Sequence, residues 1–487
     1  MTKQEREKAR LVKELLDAIE NRNLAVFAGA GLSIPAGYVN WKQLLQPIAD
    51  ELDLDINREE NNLVQLAQYH CNVNQSNRGK INQLLVSEFS QTASLTENHR
   101  ILARLPVETF WTTNYDKMIE SALLDAGKTP DVKHNNKQLA FTVPKRDAIV
   151  YKMHGDVEHP SEAILTKDDY ESYHVNMQPF LNALSGDLIS KTFLFIGFSF
   201  TDPNLDYILS RVRIAYSRDQ RPHYCLLKNL RKEQDESDAD FEYRERKQEL
   251  FIQDLLRFGI KSVMVDEYSE ITDILQTLEI KTRSSSIFIS GAANDYAPYE
   301  KADSEKFVYE LSKDLIASEY RIVSGFGLGI GSSVISGALE SLYMNGHKLD
   351  DDQLLLRPFP QNQIGQTDLK LLWRKYREDM ISYAGIAIFL FGNKLVEGNV
   401  VLSDGMREEY EIAQSQGVFV VPVGATGSMA EVLWTELKVA IESEKVSFPK
   451  NLENALLSLG DSSLSFDEIK KTILEIVSFI NKGARYG

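Results

Sequence analysis

Residues Leu24 to Gly37 read LAVFAGAGLSIPAG, and the rest of the chain is organised around them. Leu24 to Ala28 is a short unbroken apolar run, which predicts a strand buried on both faces, as in a parallel sheet. It passes directly into Gly-Ala-Gly-Leu-Ser. Gly29 and Gly31 remove side chains where backbone amides would approach a pyrophosphate, and Ser33 offers a hydroxyl and a helix start. The third position after Gly31 is Ile34, so this is not a regular G-x-G-x-x-G fingerprint. By itself the segment also reads as a tight turn.

The same layout recurs downstream. A helix with Leu11, Leu15, Leu16 and Ile19 on one face precedes the first strand, and Trp41 to Leu52 returns to helical spacing after the turn. Asn62 to Phe89 reads as helix interrupted near NVNQSNRGK. Val107 to Thr112 is the next predicted strand, with Asn114 and Asp116 just past its carboxyl end, where open parallel sheets meet ligands. Thr-Thr-Asn-Tyr-Asp is equally good turn and capping chemistry. Ala148 to Met153 ends in His154-Gly155-Asp156. Phe193 to Ser199, carrying Gly197, leads into Thr-Asp-Pro-Asn204, whose side chains are of the kind that meet ribose or adenine. His223 to Leu227 and Ile260 to Val265 complete an expected sheet of about six strands.

Composition narrows the function classes. The 487 residues carry a net charge of −17, which argues against a phosphate backbone as main partner, so no nucleic-acid role is expected. The only cysteines, Cys71 and Cys225, form no C-x-x-C pair and supply neither a zinc ribbon nor a disulfide framework; no metal is expected, and a reducing cytoplasm fits. No run approaches the roughly 18 apolar residues of a membrane span, and the first residues lack an apolar signal core.

Taken together, GAGLS, TTNYD, HGD and GFSFTDPN, each after a strand, resemble the SIR2 family of NAD-consuming enzymes over roughly residues 20 to 270. The resemblance implies that Ala28, Gly29, Ala30, Gly31 and Ser33 hold NAD, with Gly197 and Ser199 contributing. It implies that Asn114, and with it Asp116, lies at the scissile ribose, and that His154 is a base; Asn114 and His154 are the catalytic candidates. Protein deacylases of this family carry a four-cysteine zinc module that this chain cannot form. Without an acyl-peptide acceptor, cleavage of the nicotinamide bond through an oxocarbenium-like state ends in hydrolysis.

After Ile280, the polar stretch Lys281 to Ser286 is taken as a boundary, giving domains 1–280 and 284–487. A second α/β series follows: a strand at Ile287 to Ser290 ending in Gly291, a helix at Phe307 to Ala317, and a strand at Tyr320 to Ser324. That last strand enters Gly325-Phe-Gly-Leu-Gly-Ile-Gly331, either a phosphate cradle or a packing turn. A helix at Gln366 to Tyr383, a strand at Gly385 to Phe391 with Asn393 and Lys394 at its end, a helix opened by Ser403, and a strand at Val418 to Val423 complete it. Arg377 and Lys394 are of the type that grips phosphate, and Glu409 of the type that binds ribose hydroxyls; each alone also reads as a solvated surface charge.

Residues 284 to 445 resemble the SLOG family of Rossmann-like nucleotide-binding domains. The expected fold is therefore α/β, two Rossmann-like domains, each a mostly parallel sheet flanked by helices. A SIR2 half followed by a SLOG half is similar to the effectors of the Thoeris anti-phage system. That likeness implies an NAD hydrolase held idle until its SLOG half binds a cyclic ADP-ribose isomer made by a TIR-domain partner. By position, the messenger candidates are Ser290, Gly291, Leu328, Arg377, Lys394, Gly405 and Glu409, and a homo-oligomer is expected. The competing readings are a zinc-less deacylase and a non-enzymatic nucleotide sensor acting through oligomerisation; release of nicotinamide from NAD alone separates them.

Overall fold

The computed structural model describes residues 2–483 apart from 60–61, 92, 201, 217–220, 235, 345, 347–348, 350–352 and 360–368. Thr201 of the TDPN segment, Gln366 to Asp368 at the start of a predicted helix, and the end of the chain past 483 lie outside the described residues. The chain divides into two compact units, Met1–Glu279 and Ile280–Gly487.

The first unit is built on seven parallel strands: β1 (Leu24–Ala28), β2 (Thr109–Thr112), β3 (Pro130–Lys133), β4 (Ala148–Lys152), β5 (Thr192–Ile196), β6 (His223–Lys228) and β7 (Ile260–Val265). Their order is β3-β4-β2-β1-β5-β6-β7, all neighbours parallel. The apolar run of β1 explains its central place. Leu24, Val26 and Ala28 face one buried cluster and Ala25 and Phe27 the other, so a strand with no polar face must have helices on both sides. The chain leaves β1 toward β2 on one side and later returns through β5 on the other, so β1 adjoins the topological switch where such sheets open a crevice. Helices Trp41–Glu51, Leu63–Val73 and Gly79–Phe89 form a separate cluster that also buries Tyr115, Val157 and Leu165.

Among the described residues this sheet has seven strands where about six were expected. The missed strand, β3, begins at a proline and carries Asp131 and Lys133, yet both charges are buried, 2.7 Å apart, with Arg146 2.8 Å from Asp131. Ion pairing lets an edge strand bury residues that read as a surface turn.

The second unit has five parallel strands, β8 (Ser286–Ala292), β9 (Arg321–Ser324), β10 (Leu354–Leu356), β11 (Ile386–Phe391) and β14 (Phe419–Pro422), in the order β10-β9-β8-β11-β14. The short β10 was not expected, nor was the antiparallel hairpin of β12 (Asn393–Val396) and β13 (Asn399–Leu402). Here the switch lies at β8, with β9 on one side and β11 on the other. The polar stretch Lys281 to Ser286 lies next to the division between the two units and forms the end of helix Ser269–Ser284 and the start of β8. Ser284, the last residue of that helix, and Ser285, in the turn after it, donate their hydroxyls to the carbonyls of Lys281 and Thr282, which satisfies polar side chains at a helix end that hydropathy reads as loop.

Candidate active site and candidate nucleotide site

The turn after β1 is closed by the turn after β5. Gly29 N donates to Ile196 O at 2.9 Å and Gly31 N to Gly197 O at 2.8 Å. A Cβ on Gly29 would lie 2.4 Å from Gly197 O, and one on Gly31 2.9 Å from it. The glycines thus answer to the close approach of another backbone turn. Their own amides are engaged there. Gly197 itself has φ +63, the left-handed region that glycine enters freely. Ser33 ends the short helix Ala30–Ser33 and stands at the N-cap position of the 3-10 turn Ile34–Ala36, without a side-chain cap bond.

Asn114 joins the turns. Its Nδ2 donates to Gly29 O at 3.1 Å and to Ser33 Oγ at 3.2 Å, and its own N–H is received by Thr112 Oγ1 at 2.9 Å. Asp116 Oδ1 accepts from Met118 N at 2.9 Å, capping the next helix. Ala30, Ser33, Asn114 and Asp116, with Tyr38 and Trp41 opposite, line one pocket of about 40 Å³. Ala28 lies in the apolar core rather than at this pocket, and Ser199 sits exposed farther along the β5 turn.

His154 stands beside the pocket, its ring centroid 6.3 Å from that of Trp41 and 6.4 Å from that of Tyr115. Its Nε2 is 2.7 Å from Asp202 Oδ2, and both side chains are buried. Asp202 Oδ1 accepts from Asn204 N and Leu205 N at 2.8 and 3.0 Å, so the start of helix Pro203–Tyr216 orients the carboxylate. Burial pushes the Asp202 carboxyl up, but His154 and those two amides outweigh it and hold it below the ordinary range. Tyr170 Oη lies 3.4 Å from His154 Nε2 and 3.5 Å from Asp202 Oδ2, and burial, with Asp202, holds its phenol well above normal. His154 Nδ1 is buried with no hydrogen-bond partner among the described residues.

Sequence reasoning missed Asp202 as partner of His154, together with Tyr170 and Trp41. Asp202 was visible only as part of TDPN, read toward ribose. The strands that deliver the pair, β4 and β5, are separated in the sheet by β2 and β1, so no local spacing links them.

In the second unit, Ser290 on β8 donates to Glu409 Oε2 at 2.6 Å, and Arg377 Nε reaches Glu409 Oε1 at 3.3 Å. Arg377 Nη1 also donates to Glu408 Oε2 at 2.6 Å, and its guanidinium lies 4.9 Å over the Phe359 ring. Burial raises the Glu409 carboxyl despite Ser290 and Arg377. Gly405 belongs to the same cluster, since a Cβ there would sit 2.7 Å from Arg377 Nη2. Lys394 is paired with the adjacent Asp404. Gly291 O packs where a Cβ of Gly327 would fall, 1.8 Å away, so the glycine loop also serves close backbone packing. Leu328 stands exposed on that loop, with its carbonyl accepting from Ala293 N at 2.9 Å. Both candidate cations are paired with carboxylates of the same unit, Arg377 with Glu408 and Glu409 and Lys394 with Asp404.

Two family profiles match the chain: a SIR2-like domain over residues 108–251 and the Sir2- and TIR-associating SLOG family over residues 270–480. Curated relatives cover it nearly end to end. A protein of Bacillus cereus (strain MSX-D12) named NAD(+) hydrolase ThsA is 54% identical over 470 residues, 96% of this chain and 98% of its own. Proteins of the same name from Cytobacillus dafuensis and Acinetobacter baumannii (strain 532279) are 47% and 46% identical, covering 97% and 88% of this chain and 97% and 89% of theirs.

Proposed function

This chain belongs to the ThsA family of NAD(+) hydrolases, and from that premise we propose that its first unit splits NAD⁺ at the nicotinamide–ribose bond only when its second unit holds a cyclic ADP-ribose isomer. The observation that carries the catalytic half is the His154–Asp202 pair, next to Trp41 and Tyr115 of the pocket that Asn114 also lines, at the switch point of the first sheet. Asp202 accepts a hydrogen bond from Nε2–H and leaves Nδ1 as the acceptor, an arrangement in which a carboxylate sets the tautomer of a base. Asn114, fixed by Gly29 and Ser33, orients the ribose. The C1′–N bond breaks with its electron pair going to nicotinamide, water adds to C1′, and His154 receives the proton of that water. The products are nicotinamide and ADP-ribose.

Support for the gated half comes from the match of residues 270–480 to the Sir2- and TIR-associating SLOG family. In the second unit the messenger's phosphates exchange for Glu408 and Asp404 at Arg377 and Lys394, and its ribose hydroxyls meet Glu409. By the same reading the chain is a cytoplasmic homo-oligomer, a TIR-domain enzyme supplies the messenger, and NAD⁺ loss halts infected cells. Nicotinamide release from NAD⁺ alone, with and without cyclic ADP-ribose isomers, in wild type and His154→Ala, tests the proposal. Messenger-dependent release absent in the variant is expected, and equal release in both would refute it.

A further inference from the structure

Lys152, the last residue of β4, has no exposed surface. Its Nζ lies 2.6 Å from Asp156 Oδ2, 3.0 Å from Glu120 Oε1, 2.6 Å from Asp116 O and 3.2 Å from Tyr115 O. Burial opposes its charge, yet the two carboxylates prevail and keep it protonated. Glu120 is pushed up by burial and Asp156 is held down mainly by Lys152. A buried cluster of this kind is weak as a stabiliser, because desolvation of the ions offsets most of their attraction and apolar replacements of similar volume often serve as well. What Lys152 does that an apolar residue cannot is grip the main chain of one loop from the strand that carries another. The gripped carbonyls follow Asn114 immediately, while Lys152 stands two residues before His154. Val157 N adds a bond to Tyr115 O at 3.2 Å.

We propose that Lys152 is a positioning residue for NAD⁺ cleavage, locking the Asn114 loop in register with His154. The inference rests on the catalytic reading of those two residues. Small misplacements of reacting groups cost rate far more than affinity, so its loss should appear in kcat.

The test uses the full chain under whichever condition gives the highest wild-type rate. Lys152→Met/Glu120→Gln/Asp156→Asn removes all three charges without leaving any one of them unpaired, and wild type is its reference. With thermal unfolding close to that of the reference, the triple variant is expected to show a kcat at least tenfold below it and a KM for NAD⁺ within about threefold. Equal kcat in the two would overturn the proposal. If the triple variant does not fold, Lys152→Arg decides, because a planar fork cannot reproduce a point donor to two carbonyls. It should lose kcat at near-constant KM, and a wild-type kcat there would likewise overturn the role. Asn114→Ala separates the layers: should it cleave like wild type, the underlying reading fails, whereas an inactive Asn114→Ala beside an unaffected Lys152 variant removes Lys152 alone.

Discussion

His154 and Asp202 meet at 2.7 Å between Nε2 and Oδ2, although one follows β4 and the other precedes the helix after β5. The other Asp202 oxygen is bound by two backbone amides at the start of that helix, so the carboxylate cannot swing away without uncapping it. Nδ1 is the ring nitrogen that Asp202 leaves free, buried with no hydrogen-bond partner among the described residues.

Asp202→Asn keeps the shape of the side chain and removes its charge. NAD⁺ cleavage should fall about 10²- to 10⁴-fold, as expected when a positioned base loses its tautomer. Adding the change to His154→Ala should cost nothing more, because the two act as a unit. Steady-state nicotinamide release measures both, and an Asp202→Asn rate within threefold of wild type would take the pair out of the chemistry.

Gly29→Ala tests the packing of the two turns. Its Cβ would stand 2.4 Å from a backbone oxygen and 2.7 Å from Phe198 Cα, neither of which is a flexible side-chain end. A loss of about 1–3 kcal/mol is expected. Gly186→Ala, whose Cβ would meet nothing within 4 Å inside helix Gln178–Ser190, should be neutral or stabilising by up to about 1 kcal/mol. Denaturant unfolding of the two variants gives the comparison, and equal stabilities would contradict it.

Acid sensitivity should begin above the carboxylate range. Burial holds His99 and His223 at about 4 against an ordinary 6.5. The unfolded chain takes up these protons below pH 6.5, but the folded chain does so only near pH 4. The stabilisation is thus complete above 6.5 and lost as pH falls through that window, each histidine adding up to about 1.4 kcal/mol per pH unit. His223 Nδ1 accepts from Phe193 N at 3.1 Å, a bond that protonation breaks. His223→Asn, which keeps an acceptor, should flatten the pH dependence of urea unfolding between pH 7 and 5; an unchanged slope would exclude His223 as its source.

Arg377→Ala should weaken messenger binding about ten- to a hundredfold, the range of one or two charge-assisted hydrogen bonds. The maximal NAD⁺ cleavage at saturating messenger should stay near wild type, since a ligand shifts an equilibrium only by its differential affinity. Calorimetry with a cyclic ADP-ribose isomer, beside a messenger titration of activity, reads both quantities. Wild-type affinity in the variant would remove Arg377 from the site.

Legibility of the fold followed hydropathy. Leu24–Ala28 matches its predicted bounds, and Ile386–Phe391 starts one residue late, because an unbroken apolar run has nowhere to lie but inside a sheet. Pro130–Lys133 was lost because its buried charges neutralise one another across space, which no linear pattern shows. The candidate site was legible as four loop segments after strands, and the structure gathers Ala30, Ser33, Asn114 and Asp116 around one pocket. The glycines also answer to a constraint that no local pattern shows, the close approach of Gly197 and Phe198 some 170 residues onward. Asp202, Lys152 and Glu408 escaped notice because their partners depend on strand order and helix packing.

The central claim is that NAD⁺ cleavage in the first unit depends on a nucleotide held by the second. Its most direct measurement is nicotinamide release by the purified full chain across a titration of a cyclic ADP-ribose isomer, run in parallel on wild type, Arg377→Ala and His154→Ala. The account predicts little release without messenger, a saturable rise in wild type, the same plateau reached at higher messenger by Arg377→Ala, and none by His154→Ala. Full release without messenger, unchanged by its addition, would contradict the gating, and release by His154→Ala would contradict the catalytic assignment.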